Sequence, residues 1–257
     1  MKPFKFYLRI FLFVLFVFAL LAGYIFLLRP MIGATKTYNN TVRSFNSIAD
    51  EYNNLASTTC VSNIEGFDDI INPISIESEK WTDVLGTVFR GNNAEKIYKD
   101  VATLNDMSSY VSSGIAIMRQ ITNPDVTWVE DRLHTTQSIG VLQHVTEDND
   151  PNGLLGKEGG YTGCVYFSIK GVDATWIKGN TILEKGTDGG GAVEIYKTLQ
   201  DAEDRCEYFA GLDGTILYSG SYAIVGTMVI RTSFMLSDDD QFKITNEITE
   251  AFTQLSD

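Results

Sequence analysis

Cysteine and histidine are scarce in this sequence, with three and two copies among 257 residues. Three cysteines are too few for a disulfide-dense mini-protein. None stands in a C-x-x-C pair, so zinc-ribbon and thioredoxin-type chemistry have no carriers. A Ser-His or Cys-His nucleophile would have to use His134 or His144, and no G-x-S-x-G elbow accompanies them. Both are read as ordinary surface or half-buried residues, His134 in a short helix and His144 in a strand. Basic charge is also short: 20 Lys and Arg stand against 33 Asp and Glu, a net of −13. The deficit is uneven. Residues 1–29 carry Lys2, Lys5, Arg9 and Arg29 and no acidic side chain, so the remaining 228 residues hold 16 basic against 33 acidic groups, net −17. A body that acidic repels phosphate backbones, and no nucleic acid partner is expected. Apolar residues make up 44%, enough for a real core and too many for a wholly disordered chain.

Ile10 to Leu28 reads IFLFVLFVFALLAGYIFLL, 19 residues without charge or proline. At about 1.5 Å per residue it spans most of a hydrocarbon layer of about 30 Å. It is too long for a typical signal-peptide core, and Arg29-Pro30 follows it instead of a small-x-small cleavage site. An uncleaved signal anchor is therefore expected over 10–28. Lys2, Lys5 and Arg9 put residues 1–9 in the cytoplasm and everything from about residue 30 outside the cell membrane.

Tyr38-Asn39, Phe45-Asn46 and Tyr52-Asn53 recur every seven residues, with Val42, Ile48, Ala49, Leu55 and Ala56 completing an apolar stripe. The spacing predicts a helix over 33–58, a stalk leaving the membrane. Its stripe can pack on the next helices of the same chain, or serve a protein partner or self-association. Further helices are expected near 75–90 (Trp81, Leu85, Val88, Phe89) and over 93–121 (Ile97, Val101, Leu104, Val111, Ile115, Met118), separated by a turn at Gly91-Asn92-Asn93. Residues 30–121 thus read as an extracytoplasmic helical stalk or bundle.

After Asn123-Pro124, expected to cap and open a short helix with Val126, Val129 and Leu133 on one side, glycines and β-branched runs take over. Strands are expected at 139–146, 164–169, 192–197, 214–218 and 223–232. Helices are expected at 199–210 and at 237–255, the latter opened by Ser237 and three aspartates that complement its dipole. The order implies an α+β fold over 123–257: a mostly antiparallel sheet with helices packed on one face.

The stretches VTEDNDPNG (145–153), GKEGGYTGCVYF (156–167), EKGTDGGGAVEIY (184–196), DAEDRCEY (201–208), DGTILYSGS (213–221) and VGTMVIRTS (225–233) carry a resemblance. Residues 123–257 resemble an uncharacterised extracytoplasmic α+β domain recurrent in membrane-anchored and secreted surface proteins of Gram-positive bacteria. The resemblance implies a location and a domain boundary. It transfers no activity, substrate or catalytic residue, and Cys164 and Cys206 depart from its usual pattern.

Asp148-Asn149-Asp150-Pro151-Asn152-Gly153 has oxygen side chains at loop positions 1, 3 and 5 and glycine at 6, the first half of an EF-hand loop. Position 12 is Gly159, so a calcium site would use Asp148, Asp150, Asn152 and, as closing ligand, Glu158 or a distant carboxylate such as Asp188. The other reading is a turn shaped by its own side-chain hydrogen bonds. Gly186 to Gly191 lacks the strand-before, helix-after context of a phosphate loop and reads as a mobile linker. Cys164 and Cys206 could bridge a strand to a helix, leaving Cys60 free or intermolecular; free buried thiols are the equal alternative. Glu203, Asp204, Arg205 and Glu207 read as a solvated helix face, and Arg231, inside an apolar strand, as alternating to the solvent side.

The sequence therefore reads as a single-pass membrane protein whose extracytoplasmic part is a non-enzymatic binding or assembly module at the bacterial cell surface. The alternatives are a calcium-stabilised version of that domain and, on fold permissiveness alone, a carboxylate-based hydrolase.

Overall fold

A long uncharged run has every reason to be helical where no water competes for its backbone, and the computed structural model, which describes residues 2–62, 64–67, 70–215 and 217–255, begins with one. Helix α1, Lys2–Gly23, passes through a π-helical stretch, Tyr24–Leu28, into α2, Arg29–Ala56. Pro30 explains the irregularity. It lacks an N–H and its ring crowds the carbonyl four residues back, so the preceding turn widens and Arg29 N–H reaches Tyr24 O. The helix is continuous over Phe4–Ala56, and its most apolar 18-residue window has no buried residue. It is long and apolar enough to cross a membrane.

The chain divides into two compact units, residues 1–50 with 72–112 and residues 51–71 with 113–257. This differs from the expected boundary near residue 122, because the end of α2, the following loop and the last turns of the next long helix belong with the sheet. Cys60 exchanges both backbone hydrogen bonds with Gly226, Thr59 and Thr122 share a hydroxyl bond of 2.8 Å, and Ile117 and Ile121 enter the sheet core.

The seven-residue asparagine repeat has a purpose that apolar periodicity does not reveal. In the first unit Asn39 donates through Nδ2 to Glu77 O (2.9 Å) and accepts from Glu77 N–H (2.8 Å), and Asn46 does the same with Ile74 at 2.9 and 2.8 Å. In the second unit Asn53 makes the same pair with Ile71. Each amide side chain thus acts as a strand partner for one residue of a non-helical segment. Seven helical residues advance about 10.5 Å, and three extended residues about 9–10 Å, so an asparagine at every seventh helical residue meets every third residue of the segment. Pro73, without an N–H, falls between rungs. The helix expected over 75–90 is accordingly shorter: 70–80 is neither helix nor strand, and α3 covers only Trp81–Phe89. After a turn at Gly91 (φ +85°), α4 runs Ala94–Gln120 with Val101, Leu104, Val111, Ile115 and Met118 buried. The α2 stripe (Val42, Phe45, Ala49, Tyr52) is buried within the chain.

In the second unit α5, Val126–His134, is capped by Asp125, whose carboxylate accepts from Thr127 N–H. The expected cap, Asn123, instead adopts φ +44° and ties α4 to the sheet: its backbone N–H donates to Thr227 Oγ1 and its side-chain Oδ1 accepts from Thr162 Oγ1. Strands β1 (Ile139–His144), β2 (Gly163–Ile169), β3 (Gly190–Ile195), β4 (Tyr222–Val225) and β5 (Met228–Thr232) form one antiparallel sheet ordered β1-β2-β3-β5-β4. A short α6, Ile182–Lys185, precedes β3; α7, Leu199–Ala210, and α8, Asp238–Thr253, complete the unit, with Ser237 capping α8 as expected.

Two expectations change. Residues 223–232 are not one strand: Gly226 (φ +64°) turns the chain, and a Cβ there would lie 2.0 Å from Ile121 O. Of 214–218, Ile216 lies outside the described residues and the others form turn and coil. The helices cover both faces of the sheet, not one. Strand alternation sends Val165, Phe167, Val193, Ile195, Met228 and Ile230 to a core shared with α5 and α8, and Cys164, Tyr166, Ala192, Tyr196 and Val229 to a second core shared with α7 and Leu183 of α6. A sheet apolar on both faces needs a layer on each. The glycine run is no linker either. Gly190 and Gly191 lie in central strand β3, where a Cβ would come within 2.1 Å of Phe167 O and 2.3 Å of Arg231 O.

Replacing Asn39, which is fully buried, by alanine orphans the backbone of Glu77. We expect a loss of about 1–3 kcal/mol in urea unfolding of the full chain in detergent, with protease cleavage appearing within 71–79. Wild-type resistance there would contradict the ladder.

Candidate functional site

The second core holds buried ionisable groups, and strand register assembles them. Across the sheet Cys164 pairs with Glu194 and Glu194 with Val229; one step along, Tyr166 pairs with Ala192, Ala192 with Arg231 and Arg231 with Tyr222. All point to the α7 side. Ala192 is small, which leaves room for the diagonal reach from Arg231 to Glu194. Thr198 caps α7 by accepting from Asp201 N–H, and the helical spacing 202, 205, 206, 209 turns Ala202, Arg205, Cys206 and Phe209 to the sheet.

Glu194 is completely buried and takes four donors. Arg205 is bidentate, Nε to Oε2 at 2.8 Å and Nη2 to Oε1 at 3.0 Å; Arg231 Nη1 reaches Oε1 at 3.1 Å and Tyr196 OH reaches Oε2 at 2.7 Å. Four donors fill the acceptor positions of a carboxylate. Both guanidinium groups also lie against the Phe209 ring, its centre 4.4 Å from Arg205 Cζ and 4.1 Å from Arg231 Cζ. Arg231 Nη2 continues to Ser219 Oγ at 2.8 Å. Burial alone would raise the Glu194 pKa, but the hydrogen bonds and charge of Arg205, with the charge of Arg231, outweigh it and hold the carboxyl below its ordinary value. Arg231 therefore does not alternate to solvent, and Arg205 leaves the otherwise exposed face of Glu203, Asp204 and Glu207. Alternation itself holds, since Arg231 shares its face with Val229; that face is covered by α7 instead of by solvent.

The Asp148–Gly153 turn adjoins this cluster through an edge-on contact of Tyr161 with Tyr196, centroids 6.5 Å apart. Asp150 accepts from Leu155 N–H (2.8 Å), Asn152 N–H (3.0 Å) and Tyr161 OH, and Asn152 Nδ2 donates to Tyr166 OH at 3.2 Å. Burial pushes the Asp150 pKa up, yet these bonds hold it below the ordinary carboxylate value. The structure thus brings Asp150 and Asn152 together on two buried tyrosines. Asp148 and Glu158 are exposed in the surrounding turns, and Asp188 sits in the 3₁₀ turn before β3. Among the described residues no group of three His, Cys, Asp or Glu is placed to hold a metal ion.

All three cysteines are free thiols. Burial first, and Glu194 second, push the Cys164 thiol well up and the Cys206 thiol to about 12, so both are protonated at neutral pH and weak nucleophiles. His134 is exposed; His144, at the end of β1, meets Glu130 Oε1 at 2.9 Å. The cluster is a fixed charge arrangement, closed by its own partners. The sequence signal for it was Arg231 and Glu194, each a charge inside a β-branched run. A comparison with protein-family models, with curated proteins and with solved structures found no match.

Glu194→Gln leaves two guanidinium groups short of charge in a dry site. We expect a loss of about 3–5 kcal/mol at pH 7 in denaturant unfolding. Because the folded pKa is depressed, the carboxylate's contribution is present above the unfolded value near pH 4 and fades as pH falls through the folded one, so the deficit should narrow in acid. Equal midpoints at pH 7 would refute the assignment. Asp150→Asn should lower the melting temperature equally in millimolar calcium and in chelator, by about 1–3 kcal/mol in stability. A loss confined to calcium would make the turn a metal site.

Proposed function

We propose that the chain is a single-pass, membrane-anchored extracytoplasmic protein that works as a non-enzymatic binding or assembly module at the bacterial cell surface. The observation that carries this is the uncovered apolar part of the helix Phe4–Ala56, which runs without a break into the buried stripe of α2. A core helix of a water-soluble protein has its apolar window covered; this one has none of it covered. Lys2, Lys5 and Arg9 before the span, with no acidic residue up to Arg29, favour a cytoplasmic N-terminus. The non-enzymatic part is supported by the Glu194 cluster, whose donors and acceptors bind one another.

Proteinase K added to spheroplasts that express the full chain should digest the region beyond about residue 30, and an alkaline carbonate wash should leave the protein with the membrane. A protease-protected C-terminal region would reverse the topology, and release by carbonate would remove the anchor. Saturable turnover of peptide, glycan or ester substrates by the purified chain would overturn the non-enzymatic reading.

A further inference from the structure

Helix α3 packs against Tyr24–Leu28, the last residues of the apolar run, and both belong to one compact unit. At 100° per residue, Val84, Val88, Trp81, Leu85 and Phe89 form a single contiguous arc of α3, with Thr82, Asp83 and Thr87 on the other side. Of that arc only Val84 is buried; Trp81 is 60% and Phe89 82% exposed. The neighbouring Tyr24, Phe26 and Leu27 are exposed too. Lys80 and Arg90 stand directly before and after the helix.

We propose that α3 is an interfacial membrane helix, its Trp81–Leu85–Phe89 edge lying in the headgroup–acyl boundary of the same bilayer that residues 10–28 cross. The inference rests on reading 10–28 as a membrane span. Continuity identifies the occupant: α3 touches the end of the span, so the medium around Tyr24–Leu28 is the medium around the free edge of α3. A helix of this kind sinks its apolar face about 5–10 Å below the headgroups, and Trp prefers that depth because its ring is apolar and its N–H is wet. Lys80 and Arg90 flank the helix as donors to lipid phosphates, balanced in net charge by Glu79 and Asp83, so the apolar edge and not a basic patch carries the insertion.

The test uses the full chain reconstituted in phosphatidylcholine–phosphatidylglycerol vesicles whose acyl chains carry bromine either near the glycerol or near the tail end. The emission lost on Trp81→Phe belongs to Trp81, and Tyr24→Trp in the Trp81→Phe background reports the span itself. We expect shallow bromines to quench Trp81 about twofold more than deep ones, and the Tyr24→Trp reporter to be quenched as well. A quenched reporter with unquenched Trp81 would overturn the interfacial helix and leave the span standing. If neither is quenched, both fall.

Discussion

The distance match between helix and extended chain, seven residues against three, is the constraint on which the helical half depends. Asn39 and Asn46 can hold Glu77 and Ile74 only because their side chains stand one above the other at that interval. A hydrophobic stripe alone would fix which face of α2 is covered and leave the covering segment free to slide. Two hydrogen bonds per rung remove the slide. They also set direction, since residue numbers fall along the segment as they rise along α2. The chain is thereby returned toward Arg29, and α3 arrives beside Tyr24–Leu28.

The Glu194 cluster does the corresponding work in the sheet. Three charges in a dry core cost several kcal/mol per ion in lost hydration, and their mutual attraction roughly offsets this when the geometry is good. Net stability is therefore a weak reason for their presence. Register is a stronger one. A one-residue slip of β3 would turn Glu194 toward Phe167, Ile230 and Ile248, and would strand Arg205 and Arg231 without a counter-ion. Gly190 and Gly191 act in the same sense, because the backbone atoms around them leave no room for a neighbour's side chain to take their place.

The parts of this structure legible in the sequence are those set by local chemistry. The apolar run, the α4 face from Val101 to Met118, the Ser237 cap and the positions of β1, β2 and β3 all follow from periodicity and capping. Where distant partners decide, local rules misdirect. Asn39, Asn46 and Asn53 were visible as a repeat, but their partners lie 18 to 38 residues away along the chain. Arg231 was visible as a charge in a strand, but alternation says only which face it takes, not that α7 covers that face or that Glu194 lies there two residues along β3 from its partner Ala192. The cap of α5 moved by two positions because Thr162 and Thr227 compete for Asn123. In the acidic turn, the oxygen spacing of 148–152 was legible while the claim of Tyr161 and Leu155 on Asp150 was not.

The two units treat solvation in opposite ways, and the contrast bears on function. In the sheet unit even a carboxylate and two guanidinium groups are covered, and each is matched by partners from the same chain. In the helical unit Trp81 and Phe89, side chains that would each gain roughly 1.5–3 kcal/mol from burial, are left bare at the point where the apolar helix emerges. A fold that satisfies its most demanding polar groups has no shortage of means to cover two aromatic rings. Their exposure is coherent on the proposal that the surroundings of α3 are not water: the ladder sets where α3 lies, and on that reading a bilayer would supply the cover that the protein omits.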